Sequence, residues 1–278
     1  MKPVSGPFAL AAAALVAFGA CSGTSTEPAQ SLPTLNADIA NAVADGLGDD
    51  VQVMRELNFG LRTGALFLGA PAPGPAAWGC GYDATTGWHV CEPRVLPIGL
   101  TILRQYAFRN AAGDYMEAFD RAATATILAK RQVDGSVSRS FEDGGSMSGE
   151  VHHRREMMVT GLQADEQKRT WDGSGTSEVK RTRISDASGT RSYDIKAGVT
   201  IVKVVVPHRN NTDLDPWPIS GTITKKVSGT VTVGDETRTI DRTVVISFNG
   251  TQFPDATVNG EPFAIDLANR KAMRKGRP

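Results

Sequence analysis

Two histidine and carboxylate groupings are the residues of this 278-residue chain best placed by type and spacing to do chemistry. His152, His153 and Glu156 stand close together and invite a metal ion. On a strand, however, neighbouring side chains point to opposite faces, so His152 and His153 cannot reach one ion. His152 and Glu156, on a shared face, are about 13 Å apart. Zinc takes its ligands at about 2 Å, so this cluster makes no metal site on a strand. The stretch His208-Arg-Asn-Asn-Thr-Asp-Leu-Asp-Pro216 offers the oxygens of Asn211, Asp213 and Asp215 at alternate positions, like part of a calcium loop. It has neither the glycine at the bend nor the closing glutamate, and reads as an ordinary turn.

Nucleophile signatures are missing as well. No serine sits in Gly-x-Ser-x-Gly, and no Ser-x-x-Lys is followed by its partner motifs. Gly173-Ser-Gly175 follows a strand without a helix to receive a phosphate, so it is no dinucleotide fingerprint. Trp171 and Trp217 are large enough to line a pocket, although aromatics on a sheet more often fill its core. These residues name no catalytic group, no cofactor and no metal, and the expectation is a protein that is not an enzyme.

The address is more legible. One early cation, Lys2, precedes the apolar run Phe8 to Phe18, which is followed by Gly19-Ala20-Cys21-Ser22. The run is too short for a bilayer, which takes about 20 residues, and fits the apolar region of a secretory signal peptide over residues 1–20. Val16 to Cys21 resembles the lipobox of bacterial lipoproteins, with Phe18 where that family usually has leucine. The resemblance implies that Cys21 is the lipid anchor and the new N-terminus. More than one acyl chain gives stable retention in a membrane. Ser22 beside the cysteine resembles the outer-membrane class, which implies an exported protein lipid-anchored in the cell envelope. The competing reading is ordinary cleavage after Gly19 or Ala20, leaving Cys21 a thiol. With Cys21 assigned to lipid, Cys80 and Cys91 remain as an even pair in an exported chain, the pattern of a disulfide. Asp83 and Gly87 between them are turn formers, so the bond pins a hairpin near its base.

Hydrophobic residues at 40% and charged residues at 22% suit one sizeable globular domain or two small ones. The precursor is formally neutral, and removing the signal takes away Lys2 and no acid. Arg270, Lys271, Arg274, Lys275 and Arg277 make residues 268–278 a basic tail, read as a frayed terminus or a contact for anionic head groups. Five charges on a terminus make no groove-shaped patch, so nucleic acid is not an expected partner.

Residues 21–34 are mostly Gly, Ser, Thr, Pro, Glu, Ala and Gln, a flexible tether. Over 35–62, Leu35, Ile39, Val43, Leu47, Val51, Met54 and Leu57 form one apolar helical stripe. Gly46 and Gly48 predict a break near Gly46 to Asp50. Residues 63–77, with Pro71, Pro73 and Pro75, read as an irregular linker. Residues 78–267 form the body of the chain.

There, long Thr-, Val- and Arg-rich segments alternate in polarity between short turns, the pattern of an antiparallel β-meander. The segments run from Ile98 to Arg109, then Ala122–Phe141, Met147–Leu162, Glu166–Ser185, Thr190–Val206, Trp217–Val233, Thr237–Phe248, Thr251–Val258 and Glu261–Leu267. Asn249-Gly250 and Asn259-Gly260 are the strongest turn signals. Ile219, Ile223, Val227, Val231 and Val233 share one face of their strand, so that face is dry. Met147 to Arg183 carries crowded charges of both signs and reads as solvated on both faces. The expected fold is mainly β: a long-stranded, curved antiparallel β-meander, a partly wrapped sheet, covered by a short N-terminal helical segment.

Trp171-Asp-Gly-Ser-Gly-Thr176, Arg191-Ser-Tyr-Asp194, Phe248-Asn-Gly-Thr-Gln-Phe253 and Val258-Asn-Gly260 resemble a group of uncharacterised exported bacterial proteins over about Cys80 to Leu267. The resemblance implies no activity. Two readings follow. One is a membrane-anchored, non-catalytic scaffold or protein-binding module with an envelope protein as partner. The other is a carrier that holds a lipid or other apolar ligand in the concavity of the sheet. A helix filling that concavity favours the first.

Overall fold

The computed structural model describes residues 32–63, 80–97, 99–140, 145–163, 166–185, 189–207 and 217–275. Cys21, the 63–77 linker beyond Thr63 and the His208–Asp215 turn lie outside them.

Among the described residues one helix, α1 (Leu32–Thr63), precedes fourteen strands. They are β1 (Cys80–Asp83), β2 (Trp88–Cys91), β3 (Arg94–Val95), β4 (Leu100–Arg109), β5 (Tyr115–Met116), β6 (Thr126–Ser140), β7 (Ser146–Thr160), β8 (Lys168–Ser185), β9 (Gly189–Pro207), β10 (Ser220–Val233), β11 (Glu236–Ser247), β12 (Asp255–Val258), β13 (Glu261–Asp266) and β14 (Lys271–Arg274). All join one open antiparallel sheet, whose main path runs from β1 through β2, β4 and β6 to β14. The mainly-β meander is as expected. β9 alone has 19 residues, an extension of about 60 Å. At Asn259-Gly260 both residues take positive φ, 46° and 83°, as a tight hairpin requires. At Asn249-Gly250 only the glycine does, and the Asn249 side chain instead accepts hydrogen bonds from the backbone and hydroxyl of Thr251. The strand after it therefore starts at Asp255 rather than Thr251.

α1 is unbroken through Gly46 and Gly48, contrary to expectation. The glycines serve close approach instead. A Cβ on Gly46 would lie 3.3 Å from the Lys225 amine, and one on Gly48 only 2.9 Å from the Arg270 side chain. Their helix-weakening cost is borne because Leu35, Ile39, Val43, Leu47, Val51 and Met54 are all buried in the core. Each such side chain contributes about 1.5–3 kcal/mol.

The sheet curls round this helix. Gly48 meets Arg270, between β13 and β14, while Asp50 meets Arg155 on β7. In a flat sheet those strands are about 29 Å apart, far more than the roughly 10–12 Å width of a helix. Polar ties fix the arrangement. Asn36 donates to Glu261 at 2.7 Å and accepts from Arg242, and the Asn41 side chain accepts from the backbone of Ala272 at 2.9 Å.

Two further expectations change. The basic tail is not frayed through Lys271–Arg274, which pairs with β13 as the edge strand β14, and Arg274 and Lys275 form ion pairs with Glu261 and Asp255. Nor are β7 and β8 solvated on both faces throughout. Met157, Val159 and Trp171 are buried, whereas Arg183 and Ile184 at the other end are exposed.

Candidate functional site

Antiparallel register places directly opposed residues on the same side of a sheet. One such row crosses the helix-facing side: Arg104 on β4, Arg131 on β6, Arg155 on β7, Gly175 on β8, Val199 on β9 and Lys225 on β10. The alternation that brings Met157, Val159, Ile223 and Val227 inward brings these cations inward too. Four positive charges thus lie in one line along an apolar face.

Among the described residues, the buried carboxylate of Asp50 on α1 reaches two of them, Arg155 and Lys225. Arg155 donates from Nε to Asp50 Oδ1 at 2.8 Å and from Nη2 to Oδ2 at 3.4 Å. The Lys225 amine stands 3.6 Å from Oδ2 and donates to the Val43 carbonyl at 3.4 Å. Asp50, Arg155 and Lys225 are each no more than 4% exposed. Arg155 reaches this position because Gly175 has no side chain: a Cβ there would lie 2.7 Å from Arg155 Cδ. The guanidinium then lies over β8 and donates to the Thr176 carbonyl at 2.7 Å and the Ser177 hydroxyl at 3.0 Å. Burial pushes the Asp50 carboxyl up, but the charges of Arg155 and Lys225, with the Arg155 hydrogen bond, outweigh it and hold it below the usual carboxylate range.

The two sides of the sheet differ in charge. On β6 to β11, Glu236 is the acid on the helix-facing side, while Asp134, Glu150, Glu156, Asp172, Glu178, Asp194 and Asp241 point outward among lysines. Outside, opposite signs face each other across strands, as at Glu178 and Lys196, 3.6 Å apart. On these strands the helix-facing charges are mostly cations. Arg169 is among them, its pKa lowered to about 10 by burial and by Arg121.

The expected histidine geometry holds: His152 points outward and pairs with Asp134 at 2.8 Å, and His153 points inward to the Asp50 cluster. Among the described residues no three His, Cys, Asp or Glu side chains come together as metal ligands. Cys80 and Cys91 are directly opposed across β1 and β2 and form a disulfide. Trp171 is fully buried in the core, and Trp217 is partly buried against it. His89 is buried with its ring 5.0 Å from Tyr82 and 5.2 Å from Phe108, and desolvation lowers its pKa despite the opposing pull of Glu117.

Sequence reasoning passed over Asp50, Arg155 and Lys225. A signal was present, since each is a charge at a position where its own apolar period predicts a hydrophobe. Comparison with known protein families, characterised proteins and solved structures finds no match.

Proposed function

We propose that this chain is a membrane-anchored cell-envelope lipoprotein, held by lipid at Cys21, that acts as a non-catalytic scaffold or protein-binding module. The position of α1 carries this reading. A carrier needs an open apolar cavity, of about 300–1,000 Å³ for a drug-sized ligand. Here the apolar stripe of α1 occupies the inner face of the sheet. The cleft beside Asp50 encloses only about 10 Å³. What the molecule offers to others is a broad ribbon sheet whose outward side carries charges of both signs, suited to contact with another macromolecule.

Native mass spectrometry of the protein extracted from its own membrane tests this directly. The expected spectrum shows an acylated N-terminus and a co-extracted protein partner. A stoichiometric apolar small molecule would instead establish the carrier, and an unacylated chain beginning beyond Cys21 would remove the anchor.

A further inference from the structure

We propose that His89 is an acid-operated latch: with a neutral ring it holds the hairpin of β1 and β2 on the sheet, and on taking up a proton it lets that hairpin undock. The inference goes beyond the scaffold reading and does not depend on the anchor.

The attachment is slight. β1 pairs with β2, and β2 meets β4 at His89 opposite Tyr106 and Val90 opposite Gln105. His89 is 4% exposed at this seam, on the same side of the sheet as buried Tyr106. Its ring lies 5.0 Å from Tyr82 on the hairpin and 5.2 Å from Phe108 on β4, so it packs the two elements together. Phe119, 5.9 Å from Phe108, extends these apolar surroundings. Among the described residues, no hydrogen bond of good geometry reaches either ring nitrogen. A neutral imidazole sits in such a place at modest cost, whereas an imidazolium brings a charge and two donors that need water or an acceptor.

The groups around the ring do not offset that cost. Tyr82 and Tyr106 face it from β1 and β4 without charge. Glu117, just past β5, favours the proton through its backbone and its carboxylate, but burial outweighs both and holds the ring's pKa below the usual histidine range. On β4, Arg104 stands on the same face two residues from Tyr106, a charge of like sign to the imidazolium. Lys130 of β6 lies on the other face, over the Trp88 ring at 4.5 Å.

A group whose pKa is lower when docked binds more protons once undocked. Docking is therefore strongest above the ordinary histidine value of about 6.5 and weakens as pH falls below it, by up to about tenfold per pH unit. Asp50, Asp83, Asp134 and Asp266, all held below the usual carboxylate range, stay ionised through that window. Undocking uncovers Tyr106 and Phe108, apolar surface that a partner protein meets in mild acid and not at neutral pH.

Hydrogen exchange of the mature, full-length protein at about pH 7.5 and about pH 5.5, corrected for the intrinsic rate, tests the latch. The β1 and β2 amides should be less protected than those of β8 to β11 at both pH values, and their protection should fall several-fold, at most about tenfold, at the lower one. In His89→Phe, which keeps an aromatic ring and has no site for the proton, that fall should vanish. His152→Gln, at an exposed outward position, should retain it. If His89→Phe does not fold, the ring titration of His89 followed by NMR in the wild type takes its place, and its midpoint must lie below about 6.5. Protection independent of pH, a fall that persists in His89→Phe or disappears in His152→Gln, or a ring midpoint at or above the ordinary value overturns the proposal. So does equal protection of the hairpin and of β8 to β11, which would mean that the hairpin does not open by itself.

Discussion

Asp50 in α1 and Arg155 in β7, 105 residues apart in sequence, are joined by two hydrogen bonds in a part of the molecule where neither side chain is more than 4% exposed. The pair locks the helix to the sheet at one register, because shifting α1 by a residue would strand a carboxylate among valines and take from Arg155 the charge it is bonded to. Breaking such a pair by removing one partner costs about 3–5 kcal/mol, since the charge left behind stays buried. Asp50→Asn keeps the shape and removes the charge. Its urea midpoint should fall by an amount equivalent to that range, with the slope of the transition unchanged. A loss below about 1 kcal/mol would mean that the cluster is hydrated in solution.

The same carboxylate predicts a pH dependence. Because its pKa in the folded protein is depressed, the stability it contributes is fully present above the unfolded value of about 3.9 and is lost as pH falls through the folded value. Asp83, Asp134 and Asp266 are depressed too, so wild-type acid sensitivity is a sum. The difference between wild type and Asp50→Asn isolates one group: it should be constant from pH 5 to 7, shrinking below about pH 4. A difference that grows on acidification has the wrong sign and would exclude Asp50 as an ionised group.

Particular residues mark how far the sequence could be read. The period-two alternation of Ile223, Val227 and Val231 announced a strand with one dry face, and all three are buried. Asn259-Gly260 announced its hairpin because only positive φ suits the turn. Lys225, between Ile223 and Val227, breaks the same alternation, and its meaning depends on Asp50, 175 positions earlier. Local periodicity carries no information about such a pairing. Gly48 misled for a related reason, since helix propensity penalises glycine whereas the packed structure needs it under Arg270.

Glycine substitutions separate these two roles. At Gly175 an added methyl would meet the Arg154 carbonyl at 2.1 Å and Arg155 Cδ at 2.7 Å, so backbone must move and Arg155 must lift from β8. Gly175→Ala should cost about 1–3 kcal/mol, as overpacking does. At Gly46 the nearest atom is the Lys225 amine at 3.3 Å, which has to give by only a few tenths of an ångström, and alanine gains helix propensity of about 1 kcal/mol. Gly46→Ala should therefore lie between neutral and slightly stabilising. Thermal unfolding of the two variants side by side checks the ranking, and a reversed order would show that the helix tolerates no closer approach.

The disulfide predicts a local rather than a global effect. Cys80 and Cys91 close a short hairpin, which in the chain-entropy account stabilises by about 3 kcal/mol or less. β1 pairs with β2 and forms the end of the sheet, and β2 holds β4 through only His89 opposite Tyr106 and Val90 opposite Gln105. That corner is also held by the packing of His89 against Tyr82 and Phe108 and by Lys130 over the Trp88 ring at 4.5 Å. Reduction, or the Cys80→Ser/Cys91→Ser double variant, should speed hydrogen exchange of the β1 and β2 amides while leaving those of β8 to β11 at the rate of global opening. Those central strands are long, paired on both sides and buried on one face, so they hold without the edge. Simultaneous loss of protection at Val90 and at Val227 would show instead that the hairpin belongs to the same cooperative unit as the core, and that the bond constrains the whole sheet.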